Sequence, residues 1–179
     1  MIITVTARPG ATRGTLTFGD KEIPCSLGRS GLVPEAEKTE GDGATPIGRW
    51  PVRRLLYRAD RIDPPGTNLP VSAIGPADGW CDAPDHADYN RPVTLPHEAS
   101  CETLTREDGL YDLIVVLGHN DAPVVPYRGS AIFLHVAKET GGTLQPTEGC
   151  IAVPLDELLA IVSACDEETL LEVRADDTP

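Results

Sequence analysis

Short apolar or alternating runs recur along the chain, and turn-forming segments rich in Gly, Pro, Asn and Asp separate them. Alternation of apolar and polar residues is typical of half-buried strands, and such clusters between the runs are typical of turns. The pattern predicts strands at Ile2–Thr6, Gly14–Phe18, Lys21–Leu27, Arg49–Tyr57, Tyr111–Gly118, Ala131–Val136, Cys150–Val153 and Thr169–Arg174. The expected fold class is therefore mainly β, with a sheet-rich core and flanking helices.

Two segments are predicted to be the flanking helices. Pro154–Cys165 opens with proline, which suits the first position of a helix, and carries Asp156 and Glu157 in its first turn. Its helical spacing places four apolar residues on one face, Leu155, Leu158, Leu159 and Val162. A second, weaker helix is predicted in Pro96–Glu107. No repeat and no shift in composition marks a boundary, so a single domain over residues 1–179 is expected.

Composition and charge exclude several classes of function. The formal net charge of −13 is a poor match for nucleic acid or an anionic membrane face, so neither is expected as a partner. No run approaches the roughly 20 apolar residues of a membrane span. The start, MIITVTARPG, is typical of a strand and lacks the features of a secretion signal. We expect a cytoplasmic protein, or a periplasmic one if an upstream segment has been removed.

The cysteines argue against a disulfide framework and against a zinc site. Their number, five, is odd, their spacing is wide, and no CxxC pair occurs. The loop from Cys81 to Asp88 gathers Asp82, Asp85 and His86, which are metal-ligand types, but it has no recognised ligand spacing. A polar loop with Asx turns is the favoured interpretation. No metal and no cofactor are therefore expected.

His135 and Cys150 are the candidate pair for nucleophilic catalysis. Such catalysis needs a thiolate, an imidazole within hydrogen-bond reach and donors for the oxyanion. The Gly-, Thr- and Pro-rich stretch between their strands can fold back and bring the two residues together. Gly149, directly before Cys150, permits backbone geometry that other residues resist. Two structural alternatives stay open at this point: a core histidine satisfied by a carbonyl group, and a small buried hydrophobic cysteine.

A sequence resemblance adds to this pattern. His135, followed after a Gly-rich spacer by Thr147-Glu148-Gly149-Cys150-Ile151, resembles the active-site signature of the L,D-transpeptidase catalytic domain (YkuD-type) family. The segment Glu37–Trp50 resembles the family's upstream Gly-Asp-x-x-Thr-Pro-x-Gly motif. Gly79–Arg91 and Val116–His135 resemble one branch of bacterial YkuD-domain proteins. The matching segments occur in order over most of the chain.

The resemblance implies a YkuD-like β-sandwich or sheet core that acts on peptidoglycan stem peptides or muropeptides without a cofactor. It implies that Cys150 is the nucleophile, His135 the general base and later acid, and Gly149 an oxyanion contributor. Thr147 occupies the Ser/Thr position of the signature and is expected at the substrate. A backbone carbonyl usually orients the family's imidazole, and Gly141 or Gly142 is a candidate for it.

Asn120 and Arg128 are the remaining candidates for substrate binding. Asn120 follows a predicted strand and is expected to face the cleft. The family's arginine two residues after the cysteine is Ala152 in this chain, and Arg128 or Arg91 is a candidate substitute. The family's histidine before Gly-Cys is Glu148, whose carboxylate would raise the pKa of a nearby thiol.

Three functions are compatible with these residues. The main hypothesis is an L,D-transpeptidase that forms a thioester acyl-enzyme and passes the acyl group to an amine. The second uses water as the acceptor, which gives an L,D-carboxypeptidase or endopeptidase. The third is a non-catalytic YkuD-like domain that binds muropeptides or a protein partner, and it is motivated by Glu148 and Ala152.

Overall fold

A computed structural model describes residues 1–176 of the chain. Its fifteen strands and one α-helix (α1) are, in chain order, β1 Ile2–Ala7, β2 Arg13–Phe18, β3 Lys21–Ser26, β4 Leu32–Pro34, β5 Thr45–Tyr57, β6 Val71–Ala73, β7 Asp78–Cys81, β8 Pro92–Thr94, β9 Cys101–Thr103, β10 Leu113–Leu117, β11 Phe133–Val136, β12 Glu139–Thr140, β13 Thr143–Leu144, β14 Ile151–Val153, α1 Leu155–Ser163 and β15 Leu170–Ala175. A short 3-10 turn covers Glu35–Glu37. The fold is mainly β, as the sequence predicts.

The main sheet closes on itself through its longest strand. Its order is β10-β11-β14-β3-β2-β1-β15-β5-β4, and β5 also pairs with β10. The 13-residue β5 achieves this because one part pairs with β15 and a later part with β10. β1 and β15, from the two ends of the chain, run parallel within this sheet.

Alternating residues produce the core. In β1, Ile3, Val5 and Ala7 are buried, while the intervening threonines are partly exposed. The same period of two follows from the pleat of any strand that faces a core on one side. β10 and β14 are buried along their whole length, and the sequence there is correspondingly a continuous apolar run.

The predicted helix at the end of the chain is present as α1. It begins at Leu155, directly after Pro154, and its buried residues are Leu158, Ile161 and Val162. These side chains belong to the main core cluster. Proline at the start of the helix is favourable because the first amides of a helix have no intrahelical acceptor.

The prediction of a second helix, at Pro96–Glu107, is wrong. This segment contains strand β9 instead, and Glu102 pairs with Trp80 of β7. α1 is the only α-helix among residues 1–176. Helical propensity in Pro96–Glu107 is weak, and cross-strand pairing with β7 overrides it.

A small sheet of order β8-β7-β9 packs beside the main sheet. Trp80 of β7 meets Phe133 of β11 edge to face, with ring centres 5.1 Å apart. Phe133, Tyr111 and Cys150 belong to the same buried cluster as Trp80, separate from the main core. The small sheet thereby forms a wall beside the ends of β11 and β14. No helix among residues 1–176 is long and apolar enough to cross a membrane.

Candidate active site

His135 lies on β11, and Cys150 directly precedes the neighbouring parallel strand β14. Leu134 of β11 pairs with Ile151 of β14, and His135 pairs with Ala152, so Cys150 directly precedes the paired segment. Both side chains line one cleft with a volume of about 490 Å³. The structure thus brings together the two residues that the sequence singles out.

The Cys150 thiol is buried against backbone groups. Its Sγ donates to the carbonyl oxygen of Ala131 at 3.1 Å and accepts from the amide of Phe133 at 3.4 Å. Burial raises its pKa to about 12, and the Glu102 carboxylate adds to the shift. The resting side chain is therefore a neutral thiol near neutral pH.

The His135 imidazole is held by the next residue of its own strand. Its Nδ1 lies 2.9 Å from the carbonyl oxygen of Val136. Because a carbonyl can only accept, Nδ1 carries the proton and Nε2 is the basic nitrogen. Burial lowers the pKa of this ring to about 4, and the carbonyls of Val136 and Leu110 oppose the shift only in part. A backbone carbonyl does orient the ring, but Val136 supplies it and not Gly141 or Gly142.

The resting pair is neutral on both sides. The hydrogen bonds made by residues 1–176 include none between the Cys150 sulfur and the His135 ring. The thiol proton is instead donated to the Ala131 carbonyl. Proton transfer to Nε2 would therefore follow a rotation of the thiol or accompany attack on a bound carbonyl group.

Thr147 and Gly149 build the turn that leads into Cys150. The Thr147 hydroxyl donates to the carbonyl oxygen of Cys150 at 2.7 Å and accepts from the amide of Gly149 at 3.2 Å. Gly149 has a φ of +138°, and a Cβ there would lie 3.0 Å from the Ala44 carbonyl oxygen. The glycine is thus required by the backbone itself, while its oxyanion role stays a prediction.

Thr45 stabilises the same turn through its hydroxyl group. This fully buried residue of β5 accepts a hydrogen bond from the Gly28 amide at 2.9 Å, and its hydroxyl contacts the Cys150 carbonyl at 3.4 Å. The family-like Gly-Asp-x-x-Thr-Pro segment therefore contacts the backbone of the cysteine.

Glu148 lines the cleft, but its carboxylate pairs with Arg29. Its carboxylate binds Arg29 Nε at 2.8 Å, and its side chain is 80% exposed. The acidic group that acts on the Cys150 pKa is Glu102, in strand β9. The carboxylate that adds to the raised pKa of Cys150 is therefore Glu102 and not Glu148, which was expected to do so.

Glu102, Tyr111 and Arg106 form a cluster in the cleft wall that the sequence did not identify. The Tyr111 hydroxyl donates to Glu102 at 2.5 Å, and the Arg106 guanidinium lies 5.0 Å above the Tyr111 ring. The Tyr111 ring also meets the His135 ring edge to face, with centres 5.3 Å apart. Burial raises the pKa of Glu102. No local motif marks these residues, because Glu102 and Arg106 come from the segment predicted to be a helix and Tyr111 from the start of a predicted strand, just before β10.

The cleft takes its cations from positions other than those expected. Lys38, Arg106 and Lys138 line it. Ala152, which occupies the position of the family's arginine, is buried in β14. Arg91 is exposed and is not among the lining residues.

Asn120 and Arg128 line a second cavity of about 440 Å³ and do not line the Cys150 cleft. The Asn120 amide binds the carbonyls of Val125 and Gly129, and Arg128 Nη1 donates to the Ala36 carbonyl at 2.6 Å. These contacts organise the loop between β10 and β11. Their substrate-binding role stays a prediction without support from this geometry.

The chain is similar to a known protein family and to a solved structure. The sequence model of the YkuD family, the L,D-transpeptidase catalytic domain, matches residues 11–173. No curated protein sequence matches the chain. Among solved structures, the chain is similar to the crystal structure of Mycobacterium tuberculosis L,D-transpeptidase 1 at 1.89 Å, with 13% identity and a TM-score of 0.35.

That match covers 98% of this chain and 62% of the mycobacterial one, so the chain spans less than two thirds of the solved protein. The family model spans nearly the whole chain, from β2 to β15. Within it lie His135, Thr147, Gly149 and Cys150 in the order of the family signature. The chain belongs to the YkuD family of L,D-transpeptidase catalytic domains.

Proposed function

We propose that this protein is a cysteine-dependent L,D-transpeptidase that acts on peptidoglycan stem peptides through a thioester acyl-enzyme. The observation that carries the proposal is that Cys150, directly before β14, and His135, on the adjacent parallel strand β11, line one cleft. The proton on Nδ1, fixed by the Val136 carbonyl, leaves Nε2 free to act as the base.

In the acylation step, His135 Nε2 takes the thiol proton while the Cys150 sulfur attacks the carbonyl carbon of the scissile amide. The amide C–N bond then breaks, and the terminal D-amino acid leaves as an amine after accepting the proton from His135. In the second step an acceptor amine attacks the thioester and gives its proton to Nε2. The C–S bond breaks, His135 Nε2 returns this proton to the sulfur, and the thiol is regenerated.

The pKa values favour coupled proton transfer. With the Cys150 pKa raised to about 12 and the His135 pKa lowered to about 4, a preformed thiolate–imidazolium pair is unfavourable at these buried positions. Lys38 and Arg106 act in the opposite direction on the thiol and would stabilise negative charge at the sulfur or on a tetrahedral intermediate. The thiolate would thus form only as the substrate arrives.

Charges of both signs in the cleft suit a peptide with carboxylate and amino groups. Lys38, Arg106 and Lys138 are available to carboxylates, and Glu40 and Asp82 to an ammonium group. Lys38 is 2% exposed and binds Asp42 at 2.6 Å. Arg106, although paired with Asp108, is partly exposed and Lys138 is exposed, so these two are the more accessible cations. We therefore propose that these two bind the carboxylates of the stem peptide.

A tetrapeptide stem, incubated with and without a different free D-amino acid, tests the proposal. Mass spectrometry should detect the exchanged tetrapeptide with wild-type protein and none with Cys150→Ala. Cys165→Ser is a matched control, since Cys165 lies two residues after α1 and does not line the cleft. Tripeptide without exchange product would instead assign water as the acceptor.

Covalent labelling separates catalysis from binding alone. A carbapenem should add one adduct to intact wild-type protein and to Cys165→Ser, and none to Cys150→Ala. A folded wild-type protein that forms no adduct and turns over no stem peptide would overturn the proposal and leave a binding domain.

A further inference from the structure

Two cysteines pair across the small sheet beside the cleft. Cys81 of β7 is the register partner of Cys101 of β9. The neighbouring backbone bonds run from the Asp82 amide to Ser100 at 3.2 Å and from the Leu104 amide to Asp78 at 3.0 Å. Cys81 and Cys101 therefore occupy a non-hydrogen-bonded pair, where the two side chains lie on one face and are closest together.

The segment between these strands brings His97 beside the two cysteines and Asp88 beside His97. The ligand atoms of Cys81, His97 and Cys101 all lie within 4.8 Å of one another. Those of His86, Asp88 and His97 form a second such group, so His97 is shared by both. His97 Nε2 is 3.3 Å from Asp88 Oδ2. None of these five residues lines the Cys150 cleft.

We propose that Cys81, Cys101, His97 and Asp88 bind a divalent transition-metal ion, and that Zn²⁺ is the ion that fits best. Two thiolates, an imidazole and a carboxylate are ligands that Zn²⁺ takes in tetrahedral sites. With the usual Zn–S and Zn–N distances, tetrahedral ligand atoms are roughly 3.3–3.8 Å apart. The 3.3 Å separation of His97 and Asp88 already matches an edge of that tetrahedron.

His86 is assigned to the surroundings of the site. Its Nε2 lies 3.0 Å from Glu98 Oε1, and its Nδ1 accepts from the Asp88 amide at 3.1 Å. Both ring nitrogens are therefore engaged. The ring packs edge-on against His97, with centres 5.0 Å apart, and so holds His97 from one side.

Metal binding changes the contacts of Ala99. Each ligating thiol loses its proton to solvent as its sulfur bonds the metal, so Cys101 gives up its hydrogen bond to the Ala99 carbonyl. Ligation through His97 Nε2 places the ring proton on Nδ1, which now accepts from the Ala99 amide at 3.1 Å. The Ala99 backbone must therefore shift when the metal binds.

A metal ion at this site would stabilise the wall of the cleft that β7 and β9 form. Side chains alternate across a strand, so Trp80, Asp82 and Glu102 lie on the face opposite to the two cysteines. Asp82 and Glu102 line the Cys150 cleft. A metal that joins β7 to β9 would hold both carboxylates in register, and this role does not depend on the reaction at Cys150.

Metal analysis of the purified, reduced protein tests the proposal. Protein expressed with zinc and purified under reducing conditions should retain about one Zn²⁺ per chain. Replacement by Co²⁺ should give a thiolate-to-cobalt charge-transfer band in the near ultraviolet. Cys101→Ser and His97→Ala should each lower zinc retention at least tenfold, and Cys101→Ser should weaken the band. Cys165→Ser is the control and should behave like wild type.

Near-ultraviolet circular dichroism monitors the folding of each variant. Because Cys101 and His97 are both partly exposed, we expect the two variants to fold. Reduced wild-type protein that binds neither Zn²⁺ nor Co²⁺ would overturn the proposal, as would folded variants that retain wild-type zinc. A Cys81–Cys101 disulfide that re-forms in air even with zinc in excess would do the same, and would assign the pair to redox chemistry.

Discussion

The carboxylate of Glu148 lies 2.8 Å from Nε of Arg29, although Glu148 is only two residues from Cys150 in the chain. Burial is the main cause of the raised Cys150 pKa, and the carboxylate that adds to it is that of Glu102, distant in sequence. The carboxylate closest to Cys150 in the sequence is therefore not the one that shifts the pKa of its thiol.

Glu102→Gln should make the Cys150 thiol more reactive. Loss of the negative charge lowers the thiol pKa, while glutamine can still accept the Tyr111 hydrogen bond. We expect alkylation of Cys150 by iodoacetamide at pH 8 to be about three- to tenfold faster, which corresponds to a half to one pKa unit. Peptide mapping by mass spectrometry measures the rate at Cys150.

Glu148→Gln is the matched control, because it removes the same charge from an exposed position bound to Arg29. Its alkylation rate should equal that of wild type. An equal acceleration in both variants would contradict the prediction, because it would mean that Glu102 acts on the thiol pKa no more strongly than Glu148 does.

Gly149→Ala should destabilise the turn before Cys150. The φ of +138° is unfavourable for alanine, and its Cβ would lie 3.0 Å from the Ala44 carbonyl oxygen. Gly142 also has a positive φ, +74°, but no atom lies within 4 Å of a Cβ placed there. We expect the unfolding free energy in urea to fall by about 1–3 kcal/mol more for Gly149→Ala than for Gly142→Ala. Equal losses would mean that the close contact with Ala44 is unimportant.

His119 should make stability depend on pH. Burial lowers the pKa of His119 to about 4, so the folded state holds the ring neutral where the unfolded chain, with a pKa near 6.5, binds a proton. Its contribution is fully present above about pH 6.5 and is lost as the pH falls towards 4.

Between pH 7 and pH 4.5, His119→Gln should reduce the loss of unfolding free energy by about 2 kcal/mol relative to wild type. Urea titrations at the two pH values measure the difference. The pH range stays above the region in which Asp42, whose pKa is lowered, begins to protonate. An identical loss in both proteins would contradict the prediction.

Tyr111 should position the His135 ring. Tyr111→Phe keeps the edge-on ring contact and removes only the hydrogen bond to the Glu102 carboxylate, at a cost of about 1.5–3 kcal/mol in unfolding free energy. Tyr111→Ala removes the ring as well and should cost about 3–5 kcal/mol. Acylation by a carbapenem should be slowed more in Tyr111→Ala than in Tyr111→Phe. Wild-type acylation in a folded Tyr111→Ala would refute the positioning role.

Much of the fold could be predicted from the sequence because it depends on local periodicity. The eight predicted strands are present, and α1 follows Pro154 as expected. Pro96–Glu107 was predicted wrongly because β9 exists only through its pairing with β7. The closure of the sheet through β5 depends in the same way on partners far apart in the chain.

The amino-acid sequence by itself determined the strand-rich class and the final helix, and it singled out His135 and Cys150 as candidates, since spacing and residue type carry that information locally. Only the tertiary structure decided which charges act on the thiol. It turned Glu148 to Arg29, brought Glu102 and Tyr111 into the cleft, and placed Asn120 and Arg128 in another cavity. The physical reason is that electrostatic interaction depends on distance and burial in the folded chain, and strand pairing between remote segments sets both.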